Sequence, residues 1–187
     1  MPSYGLIVEG LYDRQVYENL TRKVDSPDAR FFTLDCGGVG TLMTRFPALL
    51  KALEWIDNGG PVDKALVIRD SGNRACLDVE NDMRAKIAGR TYRFPQGVEF
   101  CAVRQETETW LLADEDAITR AAGTGRIAGR INGELEDIVD PKGKLKEVLS
   151  RLKVDYLPQV LGTIANNADL TRLRYRLPSF RSFETKV

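Results

Sequence analysis

KALVIRDSG, residues 64–72, is an apolar run that stops on an aspartate and breaks at once into Ser71-Gly72. Ala65 to Ile68 are too few for a core helix and rich in β-branched residues, so the stretch reads as a buried strand with Asp70 at its C-terminal tip. Working outward, YGLIVEG (4–10) has the same form and is closed by Gly10, and RFFTLDCGG (30–38) is stopped by Gly37 and Gly38. GVEFCAVRQETETWLLAD (97–114) begins as a fourth strand, with helix resuming near Trp110. Between the strands lie helical patterns. Val16, Tyr17, Leu20 and Val24 recur at helical spacing, Leu42 to Ile56 form an amphipathic stripe ended by Asn58-Gly59-Gly60-Pro61, and CLDVENDMRAKI (76–87) is a third helix. Strands alternating with helices predict βαβ units: an α/β fold with a mainly parallel, Rossmann-like sheet flanked by helices. Right-handed crossovers put the C-terminal strand ends along one edge, where open α/β sheets carry their sites.

The chain has 187 residues, 43% hydrophobic and 29% charged, which suits one domain with a real core. The expected division is an α/β core over 1–116 and, over 117–187, an insert and a basic helical C-terminal extension packed on it. AAGTGRIAGRINGELEDIVDPKGK (121–144) is rich in glycine and charge and reads as a long flexible segment; KLKEVLSRLK (144–153) reads as a short helix. No apolar run reaches the roughly 20 residues of a membrane span, and the N-terminus lacks a signal-peptide pattern, so a cytoplasmic protein without membrane contact is expected. Cys36, Cys76 and Cys101 form no CxxC pair and read as reduced thiols. There is no histidine. Any metal chemistry must therefore rest on carboxylates and favour Mg²⁺ or Mn²⁺.

Charge is unevenly placed. Residues 1–140 hold 17 Lys+Arg against 23 Asp+Glu, net −6; residues 141–187 hold 10 against 4, net +6. Either the two parts dock on each other, or a carboxylate metal site adjoins a surface that holds polyanions.

With these strands, Glu9, Asp70, Glu106 and Glu108 meet on one edge, joined by Asp13 at the start of the first helix. Clustered carboxylates repel unless a cation or basic partner neutralises them, and a divalent ion is the economical answer. Each has a plainer reading: Asp13 can complement a helix dipole, Asp70 can open an Asx turn, and Glu106 and Glu108 can form a solvated face. In DPKGK (140–144), Lys142 and Lys144 can approach a phosphate or simply lie on the surface. In LRYRLPSFR (173–181) and the residue before it, Arg172, Arg174, Arg176 and Arg181 alternate with apolar residues, a pattern that suits nucleic-acid contacts or packing against an acidic face. CGGVGT (36–41) follows a strand and precedes a helix but has neither the dinucleotide fingerprint nor a Walker lysine.

LIVEGLYD (6–13), LVIRDSG (66–72) and RQETETWLLAD (104–114) resemble the TOPRIM domain, the Mg²⁺-binding module of topoisomerases, primases and OLD-type nucleases. With DPKGKL (140–145) and LPSFRSF (177–183), the chain resembles a family of small TOPRIM-like proteins often encoded beside AAA-type ATPases in defence loci. The resemblance implies a metal-dependent nuclease working with an ATPase partner. Glu9 would be the metal ligand or general base, Asp13 the added acid, Asp70 the first aspartate of a DxD pair and Glu108, with Glu106, a second-metal carboxylate. Lys142 or Lys144 would be the transition-state lysine. Gly72 stands where the second DxD aspartate belongs, so one metal position is a ligand short unless Asp78 or a water substitutes; a degenerate TOPRIM module that binds a partner ATPase or nucleic acid is the alternative. A receiver-type phosphoacceptor at Asp70 is a further alternative.

Overall fold

The computed structural model describes residues 1–38 and 40–187; Val39, inside the CGGVGT stretch, lies outside them. The strands are β1 (Ser3–Val8), β2 (Arg30–Asp35), β3 (Lys64–Asp70) and β4 (Val98–Val103), all parallel, in the order β2-β1-β3-β4. The connections carry α1 (Leu11–Val24), α2 (Leu42–Leu53) and α3 (Cys76–Lys86). The predicted α/β sheet is therefore present, in a Rossmann-like arrangement.

Period-two alternation sorts the strand side chains into two cores. Tyr4, Leu6, Val8, Leu66, Ile68, Cys101 and Val103 pack with α1 on one face. Ile7, Ala65, Val67, Phe100 and Ala102 pack with α2 and α3 on the other. Gly5 lets α2 close in: a Cβ there would sit 2.5 Å from Leu53 Cδ1.

The chain runs from β1 outward to β2, then crosses back over β1 to β3. The strand order thus reverses between β1 and β3, and the crevice at their C-terminal ends is where open α/β sheets bind ligands.

Beyond β4 come α4 (Glu108–Leu111), α5 (Glu115–Ala122), α6 (Pro141–Arg151), α7 (Pro158–Asn167), α8 (Leu170–Arg176) and α9 (Pro178–Glu184). Their apolar residues, among them Ile118, Leu145, Leu161, Leu173 and Phe180, join the same core as β1, β3, β4 and α1. Position 116, expected as a boundary, falls inside α5. Gly162 on α7 permits close approach to α1, since a Cβ there would lie 2.7 Å from Gln15 Cβ.

The reading of 121–144 as flexible needs correction at its end. Gly123 caps α5 in the left-handed conformation (φ 60°), and a 3-10 turn occupies Leu135–Asp137. Lys142 and Lys144 then lie in the first turn of α6. Asp140 accepts a hydrogen bond from Gly143 N at 2.7 Å, and Pro141 takes the first helical position. Among the described residues no helix is long and apolar enough to cross a membrane.

Candidate metal centre

Glu9 follows β1 and Asp70 ends β3, so the two flank the point where the strand order reverses. Asp13 enters from the first turn of α1, Glu106 from the turn after β4 and Glu108 from the start of α4. All five line one cleft of about 190 Å³, with Gly10, Tyr12, Gly38 and Lys142. The structure thus brings together the five acids expected to meet on one edge.

Each carboxylate has its own protein partner. Glu9 Oε1 lies 3.6 Å from Arg69 Nε. Asp13 Oδ2 accepts from Gly10 N at 3.0 Å, and Glu106 Oε2 from Lys142 N at 3.2 Å. Asp70 Oδ1 accepts from Thr107 Oγ1 at 3.3 Å. Thr107 has one hydroxyl proton, so the Tyr17 hydroxyl, 2.6 Å away, donates to it in turn. Glu108 accepts a short hydrogen bond from the Tyr156 hydroxyl and lies 4.0 Å from Lys142 Nζ.

These partners do not offset the crowding. Burial first, then Asp13, Glu9, Glu108 and Glu106, holds the Asp70 carboxyl well above the usual carboxylate range. Burial pushes Asp13 up to about 6, with the Gly10 N hydrogen bond opposing and Glu108 adding to the rise. Glu9 is raised by burial against the pull of Arg69, and Glu106 by burial and Glu108. The cleft therefore disfavours its own negative charge.

The donors suit a hard divalent cation: carboxylate oxygens, no imidazole, and no cysteine lining the cleft. The side-chain positions are not chelating. Among the described residues no three acids or thiols are grouped so as to hold one ion. The reason is visible in the bonds above, since the carboxylates turn to separate donors; holding an ion requires some to exchange a protein partner for it.

The other expected residues divide. Lys142 lines the cleft, whereas Lys144 pairs with Glu147 at 3.0 Å. Gly72 has φ 54°, bridges to Gln105 and does not line the cleft. Asp78 is exposed on α3 and does not line it either. The four arginines are absent from the cleft lining. Arg172 pairs with Asp114 at 2.9 Å and Asp116 at 2.5 Å, Arg174 with Glu184 at 2.5 Å, and Arg176 with Glu115 at 2.9 Å. Arg181 donates to the Arg174 carbonyl at 2.6 Å.

Tyr156, Tyr12, Thr107 and Arg69 were not anticipated. Thr107 lies between two selected acids in ETE, and Arg69 precedes Asp70, so adjacency could have flagged both. Tyr156 reaches Glu108 across 48 residues, with no local pattern to announce it.

No protein-family model matches the chain, and no curated protein or solved structure shows significant similarity to it.

Proposed function

We propose that this protein is a Mg²⁺- or Mn²⁺-dependent phosphodiesterase of TOPRIM type that cleaves nucleic acid in the cytoplasm, with an AAA-type ATPase partner in phage defence. The observation that carries the reading is the shared cleft of Glu9, Asp13, Asp70, Glu106 and Glu108 at the reversal of strand order. The ATPase, the location and the defence role rest on the sequence resemblance alone.

Glu9, Asp13, Asp70, Glu106 and Glu108 would hold the ions. Bound Mg²⁺ or Mn²⁺ would supply Lewis-acid charge to the phosphate and lower the pKa of a nucleophilic water. Lys142, in the first turn of α6 and facing Glu108, offsets charge developing on the phosphoryl oxygens. Tyr156 and Thr107 orient Glu108 and Asp70 through their hydroxyl groups. Where it does not hold an ion, Glu9, whose carboxyl burial raises, would serve as the general base that takes a proton from the attacking water.

A second reading, a degenerate module that binds a partner or nucleic acid without cleaving it, is favoured by the turn at Gly72 and the non-chelating carboxylates. Calorimetric titration separates the two. The nuclease reading predicts Mn²⁺ binding with proton release, lost in Glu9→Gln with Asp70→Asn; absence of binding at millimolar Mn²⁺ supports the second reading.

A further inference from the structure

Tyr156 lines a second groove and reaches the acidic cleft through its hydroxyl. Its hydroxyl meets Glu108 in the cleft, and its ring stacks on Tyr12, with centroids 5.3 Å apart and planes at 19°. The groove, about 400 Å³, is lined by Lys146, Ser150, Lys153, Val154, Asp155 and Tyr156.

Two features give this groove a cationic character. Lys146 and Lys153 are exposed, and neither is paired with a carboxylate among the described residues, so only Asp155 opposes them in the lining. Lys142, on the cleft side, continues the row toward the acids.

The tyrosines act as supports for these ammonium groups. Lys142 Nζ lies 5.7 Å from the Tyr156 ring centroid and 5.9 Å from that of Tyr12, and Lys146 Nζ lies 5.1 Å from the Tyr156 ring. Cation–π contact limits the freedom of a long side chain before any ligand arrives. Lys142 and Lys146 are four residues apart on α6, about 6 Å along its axis. That spacing is of the order of the distance between neighbouring phosphates on a strand.

Lys153 adds a separate observation. It follows α6 with φ 63°, a left-handed backbone that an L side chain adopts at a cost and that glycine normally fills at a helix end. The chain keeps a lysine there, on the groove.

We propose that this groove carries the sugar-phosphate backbone of a nucleic-acid strand away from the acidic cleft, with Lys142 and Lys146 on neighbouring phosphates and Lys153 on one further along. The track reads phosphate and not base. The Tyr12 and Tyr156 rings are engaged with each other and with lysines, and the groove offers no row of free aromatic faces. Binding is therefore independent of sequence. The proposal deepens the nuclease reading and rests on it for the position of the scissile phosphate.

The test is fluorescence anisotropy of a labelled 15-nucleotide single strand in Ca²⁺, over a salt series, with wild type, Lys146→Gln/Lys153→Gln and the corresponding double arginine variant. On a single strand, every phosphate that a lysine ceases to neutralise makes the slope of log K against log salt shallower by roughly 0.7. The glutamine variant is expected to bind at least tenfold more weakly at low salt, with a slope shallower by about 1.4. The arginine variant keeps both charges and is expected to bind like wild type. Lys86→Gln, an exposed lysine on α3 outside the groove, controls for general electrostatics and is expected to leave affinity unchanged. Wild-type affinity and slope in the glutamine variant, equal weakening by Lys86→Gln, or no binding by wild type overturns the proposal. Metal-dependent cleavage by wild type, scored separately, decides the catalytic reading: weakened binding in the glutamine variant without any cleavage leaves the groove standing and removes the nuclease.

Discussion

Asp70 accepts a single side-chain hydrogen bond while four other carboxylates share its cleft, so its charge is held against both desolvation and repulsion. A group placed this way stabilises bound ligand at the expense of the ligand-free fold. Asp70→Asn keeps the shape and removes the charge. The variant is expected to melt a few degrees higher than wild type in EDTA, at roughly 2–4 °C per kcal/mol for a chain of this size, and to lose Mn²⁺ binding. Scanning calorimetry in EDTA and then Mn²⁺ reads both effects; a lower melting point in EDTA contradicts this role for Asp70. Asp13 makes the same point through pH. Its folded pKa, about 6, exceeds the unfolded value, so between about pH 4 and 6 the folded protein holds the proton more tightly. The stability due to this group is complete below the unfolded pKa and is lost as pH rises through 6. Metal-free wild type is therefore expected to lose melting temperature relative to Asp13→Asn from pH 4.5 to 7.5, a difference that two pH series measure. Both acids could be found in the sequence because a strand tip or first helical turn fixes where a carboxylate goes. Tyr156 could not, since its bond to Glu108 is purely tertiary.

At the scale of elements, α6 shows how a helix start positions chemistry. DPKGK resembles a flexible segment because it combines proline, glycine and charge, yet Asp140 and Pro141 are an N-cap and a first helical residue in order. The local start signal was present and was outweighed by the surrounding glycine-rich text. Gly143 completes the cap: a Cβ there would lie 2.1 Å from Asp140 Oδ2, so a side chain at 143 displaces the capping carboxylate. Asp140→Ala should cost about 1 kcal/mol through loss of the cap, and in Gly143→Ala the same loss should cancel most of the roughly 1 kcal/mol that alanine gains over glycine in a helix. Their double variant loses the cap once and keeps the alanine gain, so it should be about 1 kcal/mol more stable than the sum of the two, a coupling that denaturant unfolding measures. Because Lys142 N binds Glu106 and Lys142 Nζ faces Glu108, either variant should also weaken metal binding. The strands were easier to read. Short apolar runs closed by glycine or acid allow few alternatives, and the sorting of their side chains between two cores follows from the pleat.

For the whole molecule, the opposed charges of the two parts answer one of the questions they raise. Arg172, Arg176 and Lys186 of the basic end pair with Asp114, Asp116, Glu115 and Glu80 of the acidic body, so much of the split is internal docking. Alternation of arginine with apolar residues could not distinguish this from a polyanion surface, because both uses need the same helix faces. Among the cations near the cleft, Lys142 and Lys146 of α6 and Lys153 after it belong to this basic end. If the five acids hold metal for phosphodiester cleavage, the direct measurement is conversion of supercoiled plasmid by purified protein, with its ATPase partner supplied, in Mn²⁺, Mg²⁺ or EDTA. The expected result is nicking with either metal, none in EDTA, and a loss of at least a hundredfold in Glu9→Gln. Cleavage that persists in EDTA or in Glu9→Gln, or no cleavage with metal and partner present, would contradict it.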